Sequence, residues 1–117
     1  SVGKQEEVGK FLLISYLLFT QLRNTYPALA EGKMEKHPVY NESKEKDFVS
    51  IAAWYMVKDN EKLLVIHNLK GSAVELPLTD KFEKVIAVSG NVQQKGESGN
   101  ATFKMGAYSS LVLKVTK

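Results

Sequence analysis

The side chains with chemistry to offer are few and scattered. His37 and His67 are the only groups that titrate near neutrality without perturbation. His67 stands near the end of an apolar run, with no neighbour in sequence to position it as a base, and reads as a structural or surface histidine. His37 precedes Pro38 and reads as an extended surface residue. The carboxylates lie in turns and lysine-rich stretches, where solvation is their ordinary role. With no cysteine in the chain there is neither a disulfide framework nor a thiolate metal site. Gly-rich phosphate loops, a Gly-x-Ser-x-Gly elbow, a His-Glu-x-x-His helix and a calcium loop are all missing. The expectation is a chain with no catalytic residue, no metal site and no cofactor.

The aromatic residues carry more. Sugars bind by laying their apolar ring faces on aromatic side chains, with polar groups fixing orientation. Trp54 and Tyr55 are the candidate carbohydrate-binding residues, with Tyr108 a third ring of interest. Adjacent positions on a strand point to opposite faces, so Trp54 and Tyr55 cannot form one platform. The competing reading, packing within the domain or against a neighbour, is the simpler one.

Those rings need a scaffold. Residues 8–26 contain Gly9 as their only helix breaker, and Leu12, Leu13, Tyr16, Phe19 and Leu22 recur at helical spacing. Ile14, Leu17 and Leu18 widen the stripe until the helix is apolar nearly all round. Such a helix needs more than one neighbour, and one small sheet domain is all that the rest of the chain offers it. Pro27 stops the helix and Gly32 follows as a further breaker. The period then changes to two. Strands are expected over residues 48–57, 62–68, 73–78, 82–88, 101–105 and 108–115, with a short one around Val92 inside a polar loop at 90–100. Short strands at regular spacing predict a mainly β fold, an antiparallel Greek-key sandwich preceded by one helix.

The 117 residues suffice for one small domain. The net charge of +3, from 16 basic and 13 acidic residues with Arg23 the only arginine, gives no phosphate track, so no nucleic-acid partner is expected. The apolar run at 11–19 is much shorter than the ~20 residues of a membrane span, and its acidic flank and lack of a small-residue cleavage pattern argue against a signal peptide. No membrane partner is expected.

Leu12, Leu13, Tyr16, Leu22, Arg23, Pro27, Ala28, Leu29 and Gly32 together resemble the segment that ends the last barrel helix of α-amylases and related α-glucosidases of glycoside hydrolase family 13. Leu63-Leu64-Val65-Ile66-His67-Asn68 after Ala53-Trp54, and Tyr108 to Leu113 near the end, resemble successive strands of that family's C-terminal domain. The helix departs from the family pattern at Ile14, Leu17 and Leu18, where polar residues are usual. The resemblance implies a division at residues 1–32, the last helix of a (β/α)8 barrel and its connection, and 33–117, the β-sandwich. It implies a non-catalytic domain that stabilises the barrel of a starch-directed glycoside hydrolase, whose catalytic carboxylates lie elsewhere. Leu12, Tyr16, Phe19 and Leu22 would then face the barrel. In isolation they would fold the helix onto its own sheet or drive association of two copies. The alternatives are an accessory starch-binding module, using Trp54 or Tyr55 against an α-glucan, and a small partner- or membrane-docking protein. The parent's compartment, secreted, periplasmic, cell-surface or cytoplasmic, is left open.

Overall fold

The computed structural model describes residues 13, 17, 20–40 and 48–117. Leu13, Leu17, Thr20, Gln21 and Leu22 are helical, as the apolar periodicity predicts. After a turn at 23–25, Pro27 opens a second short helix, α1 (Pro27–Glu31). Proline suits this first helical position because its missing N–H would have no helical partner there. Gly32 ends the helix, its N–H returning to Ala28 O at 2.8 Å. A Cβ at Gly32 would lie 2.2 Å from that same oxygen, so the close approach is open only to glycine.

Among the described residues eight strands follow: β1 (Lys33–Lys36), β2 (Ile51–Lys58), β3 (Glu61–Asn68), β4 (Val74–Leu78), β5 (Phe82–Ser89), β6 (Val92–Glu97), β7 (Asn100–Met105) and β8 (Ser110–Val115). They form a five-stranded sheet, β1-β2-β3-β8-β5, and a three-stranded sheet, β4-β7-β6, and every strand pair is antiparallel. The chain changes sheets after β3, β4, β5 and β7, so β8 returns to lie between β3 and β5, as in the expected Greek-key sandwich.

The core between the sheets follows from strand alternation. Ile51, Ala53 and Tyr55, Leu64 and Ile66, and Leu111, Leu113 and Val115 point inward from the large sheet. Val74, Leu76, Leu78, Ala101, Phe103 and Met105 meet them from the small one. The strand expected from residue 48 begins only at Ile51, because 48–50 form a turn. Phe48 therefore packs on the inner core with Tyr40, not on the Trp54 face, and Val49 is exposed.

Asn68 ties together the loops at one end of the sandwich. It is fully buried, and its Nδ2 donates to the carbonyls of Ser72, Met105 and Gly106 at 3.0–3.1 Å. Its Oδ1 accepts from Lys70 N and from Ser50 Oγ. One amide thus satisfies backbone groups of the β3–β4 and β7–β8 connections and accepts the Ser50 hydroxyl from the turn before β2, which explains an asparagine at the end of an otherwise apolar strand. No helix among the described residues is long and apolar enough to cross a membrane.

Candidate docking face

The inward positions of β2, β3 and β8 feed the core, and the alternate positions build a second apolar layer on the outside of the large sheet. Strand register sets Trp54, Val65, Val112 and Ala87 in one row across β2, β3, β8 and β5. Met56 and Leu63 extend the layer toward one end. His67, Ser110 and Ser89, in register with Ala52, make the row at the other end polar. Leu63, Val65 and Val112 are fully buried although they lie outside the sandwich core.

The cover comes from the N-terminal segment. Leu22, Tyr26, Ala28 and Leu29 pack on this layer. Glu61 at the start of β3 accepts a hydrogen bond from Ala28 N at 3.0 Å, satisfying an N–H that the first turn of α1 leaves unpaired. At the other end of α1, Glu31 pairs with Lys58 at the surface. The Lys84 ammonium stands 5.9 Å from the Tyr26 ring centroid. The helical residues further upstream offer apolar surface to solvent: Leu13 is 59% and Leu17 51% exposed, four residues apart on one helix face.

Of the four residues expected to face a barrel, Leu22 is partly buried and packs on the chain's own sheet. Leu12, Tyr16 and Phe19 lie outside the described residues. Trp54 is half-buried in the outer layer, its ring tilted against His67 with centroids 5.2 Å apart. Tyr55 faces the core and is 8% exposed. The two rings point to opposite faces, as strand alternation requires, and Tyr55 has little ring surface left for a sugar.

His67 belongs to this outer face. Its Nδ1 lies 2.6 Å from Ser110 Oγ across the β3–β8 pair, and burial pushes its pKa down to about 4. Its burial accords with a structural histidine.

His37 corrects the surface reading. It is 4% exposed, with its Nε2 2.9 Å from Asp80 Oδ1. Its Nδ1 accepts the N–H groups of Val39 and Tyr40 at 3.1 and 3.2 Å. That acceptor role fixes the tautomer: Nε2–H donates to the carboxylate. Tyr55 Oη donates to the other oxygen of Asp80 at 2.5 Å, and Tyr40 Oη donates to Pro77 O. Burial draws the Asp80 carboxyl upward, but the hydrogen bonds from His37 and Tyr55 outweigh it and hold the group below its usual range. Burial, then the bond to Asp80, pushes the Tyr55 phenol up. Lys62 Nζ sits 4.2 Å from the Tyr55 ring centroid.

A His–Asp–Tyr cluster invites comparison with catalytic relays. Here both oxygens of the carboxylate are engaged and the histidine is closed off from solvent, so its evident work is to lock the 37–40 turn and the β4–β5 connection onto β2. Among the described residues there is no group of His, Asp and Glu side chains suited to a metal ion. The signal that sequence reasoning missed is the pairing of His37 with a carboxylate 43 residues away.

Comparison with known proteins agrees with this architecture. A family model described as the α-amylase SusG C-terminal domain matches residues 51–112. The chain is 59% identical to α-amylase SusG of Bacteroides thetaiotaomicron over 115 residues, which is 98% of this chain and 17% of that protein. Among solved structures, isomaltulose synthase from Erwinia rhapontici NX5 superposes with a TM-score of 0.66 at 19% identity, covering 83% of this chain and 16% of that one. The α-amylase from H. orenii gives 0.64 at 21% identity, covering 80% of this chain and 18% of that one. These two likenesses establish the shared fold.

Proposed function

This chain belongs to the family of α-amylase SusG C-terminal domains, and from that premise we propose that it works as the non-catalytic β-domain of a larger α-amylase-type glycoside hydrolase acting on α-glucans. In this reading residues 1–32 supply the last helix of the catalytic barrel and its connection, and residues 33–117 form the sandwich that packs on the barrel and stabilises it. Catalysis belongs to the barrel, where two opposed carboxyl groups about 5 Å apart would perform retaining hydrolysis.

The observation that carries the proposal is the outer layer of the large sheet. A free-standing sandwich commonly turns such a face to water and fills it with polar residues. Here Leu63, Val65 and Val112 are buried on it beneath Leu22, Tyr26, Ala28 and Leu29. The helix that delivers this cover still presents Leu13 and Leu17 to solvent. The barrel is the occupant that would bury them, and Leu12, Tyr16, Phe19 and Leu22 are the proposed contact residues on the helix. The long identity to a protein of which this chain spans 17% supports the same reading.

Hydroxyl-radical footprinting tests it by comparing the 117-residue chain with the longer parent polypeptide. Leu13, Leu17 and Met34 should label strongly in the isolated chain, and the two leucines should be protected in the parent. Equal labelling of Leu13 and Leu17 in both would overturn the docking proposal.

A further inference from the structure

We propose that α1 is a strap belonging to the sandwich, and that the turn at 23–25 is the joint at which the sandwich and the helix before it open separately. The backbone hydrogen bonds change partner there. The N–H groups of Thr25 and Tyr26 both reach back to Leu22 O, at 3.1 and 2.8 Å. Pro27 has no N–H to carry that ladder onward, and Ala28 N–H turns instead to the Glu61 carboxylate on β3 at 3.0 Å. Arg23, Asn24 and Thr25, between the two helical stretches, are exposed. On the far side α1 has no slack: Gly32 ends it, and the next residue, Lys33, is already paired with Val57 on β2. Lifting α1 from the sheet would therefore pull directly on the β1–β2 pairing.

Burial divides at the same place. Ala28 and Leu29 are 0% and 9% exposed, and they close over Leu63, Val65 and Val112, all at 0%. Leu13 and Leu17 upstream are more than half exposed. Among the described residues of that helix, Leu22 alone packs on the outer layer, and it is only partly buried. Stabilisation scales with the apolar area removed from water. α1 therefore shares the stability of β3 and β8, whereas the described residues before the joint have little sandwich contact to share. The outer layer stays dry without help from beyond the joint. Only the identity of what lies before the joint rests on the proposed function. In that reading the barrel can shift at 23–25 without uncovering Leu63, Val65 and Val112.

Native-state hydrogen exchange of the 117-residue chain tests the joint. The amides of Ala28, Leu29 and Gly32 should exchange through the same opening as β3, with the same response to urea, and those of Leu17, Thr20 and Gln21 at least about tenfold faster. Cleavage gives a second readout, because Arg23 is the only arginine and lies exposed in the turn. An arginine-specific protease should cut the intact chain there. Residues 24–117 should then keep the unfolding midpoint of the uncleaved Leu22→Ser variant, read by Trp54 fluorescence. Resistance of the Arg23 bond, a midpoint well below that of Leu22→Ser, or amides of α1 exchanging together with those of the upstream helix would overturn the proposal. Footprinting of Leu13 and Leu17 in the parent polypeptide separates this inference from the proposed function. A retained midpoint with no protection of these leucines supports the joint and removes the barrel. A lost midpoint with full protection overturns the joint and keeps the barrel.

Discussion

Asp80 accepts hydrogen bonds from His37 at 2.9 Å and from Tyr55 at 2.5 Å, joining a turn before β2, a core-facing ring of β2 and the β4–β5 connection through one carboxylate. Asp80→Ala leaves the His37 N–H and the Tyr55 hydroxyl without their acceptor, both largely buried. The expected loss of stability is about 2–4 kcal/mol, because orphaned buried donors cost more than the bond itself contributed. Urea unfolding of the variant and the parent chain checks this. The pH sign follows from the lowered pKa of Asp80: its contribution is present above its ordinary value of 3.8 and is lost as pH falls through the folded-state pKa.

His67 gives a second, separable acid effect. Its folded pKa of about 4 lies below the unfolded value of 6.5, so below pH 6.5 the unfolded chain takes up a proton that the native chain refuses. Stability is therefore full above pH 6.5 and declines as pH falls toward 4, by about 3 kcal/mol in all. His67→Leu should flatten this limb. The single tryptophan reports the event directly, since its ring lies 5.2 Å from the imidazole. Unfolding midpoints read by Trp54 fluorescence at pH 7, 6 and 5 should fall steeply in the parent chain and shallowly in the variant.

Asn68 offers the sharpest test of the loop end. Asn68→Asp is nearly isosteric but turns a donor group that faces three carbonyls into an acceptor. The expected cost is about 3–4 kcal/mol, with Asn68→Ala costing less because it introduces no repulsion. The reverse order in chemical denaturation would show that the amide's hydrogen bonds contribute little.

The exposure of Leu13 and Leu17 predicts that the isolated chain self-associates. Sedimentation at rising concentration should show association that weakens in the Leu13→Ser, Leu17→Ser double variant, together with reduced binding of a hydrophobic dye. A monomeric parent chain that binds no dye would remove the exposed helix face from the account.

Much of this architecture is legible in the residues, and its failures have physical causes. β3 and β8 carry β-branched and aliphatic runs, so they stand out whatever their partners. The opposite facing of Trp54 and Tyr55 follows from strand geometry alone. β1 is hidden because Lys33, Glu35 and Lys36 are charged and all four of its residues are exposed, as suits an edge strand held by one neighbour. β6, Val-Gln-Gln-Lys-Gly-Glu, is polar on both faces and reads as loop around its one valine, although it pairs with β7 along its whole length. α1 is too short to show periodicity and exists because the outer face of the sheet gives Ala28 and Leu29 somewhere to pack. The burial of His37 is set by Asp80, far away in sequence, which no local pattern encodes.

The central claim is that this domain is one part of a larger amylase-type enzyme. Immunoblotting of source cells with an antibody raised to the 117-residue chain, run beside a starch zymogram, tests it most directly. The account predicts a band several times larger than 13.1 kDa that comigrates with a zone of starch clearance. A band at 13.1 kDa alone, with no starch-clearing activity at any position the antibody recognises, would contradict it.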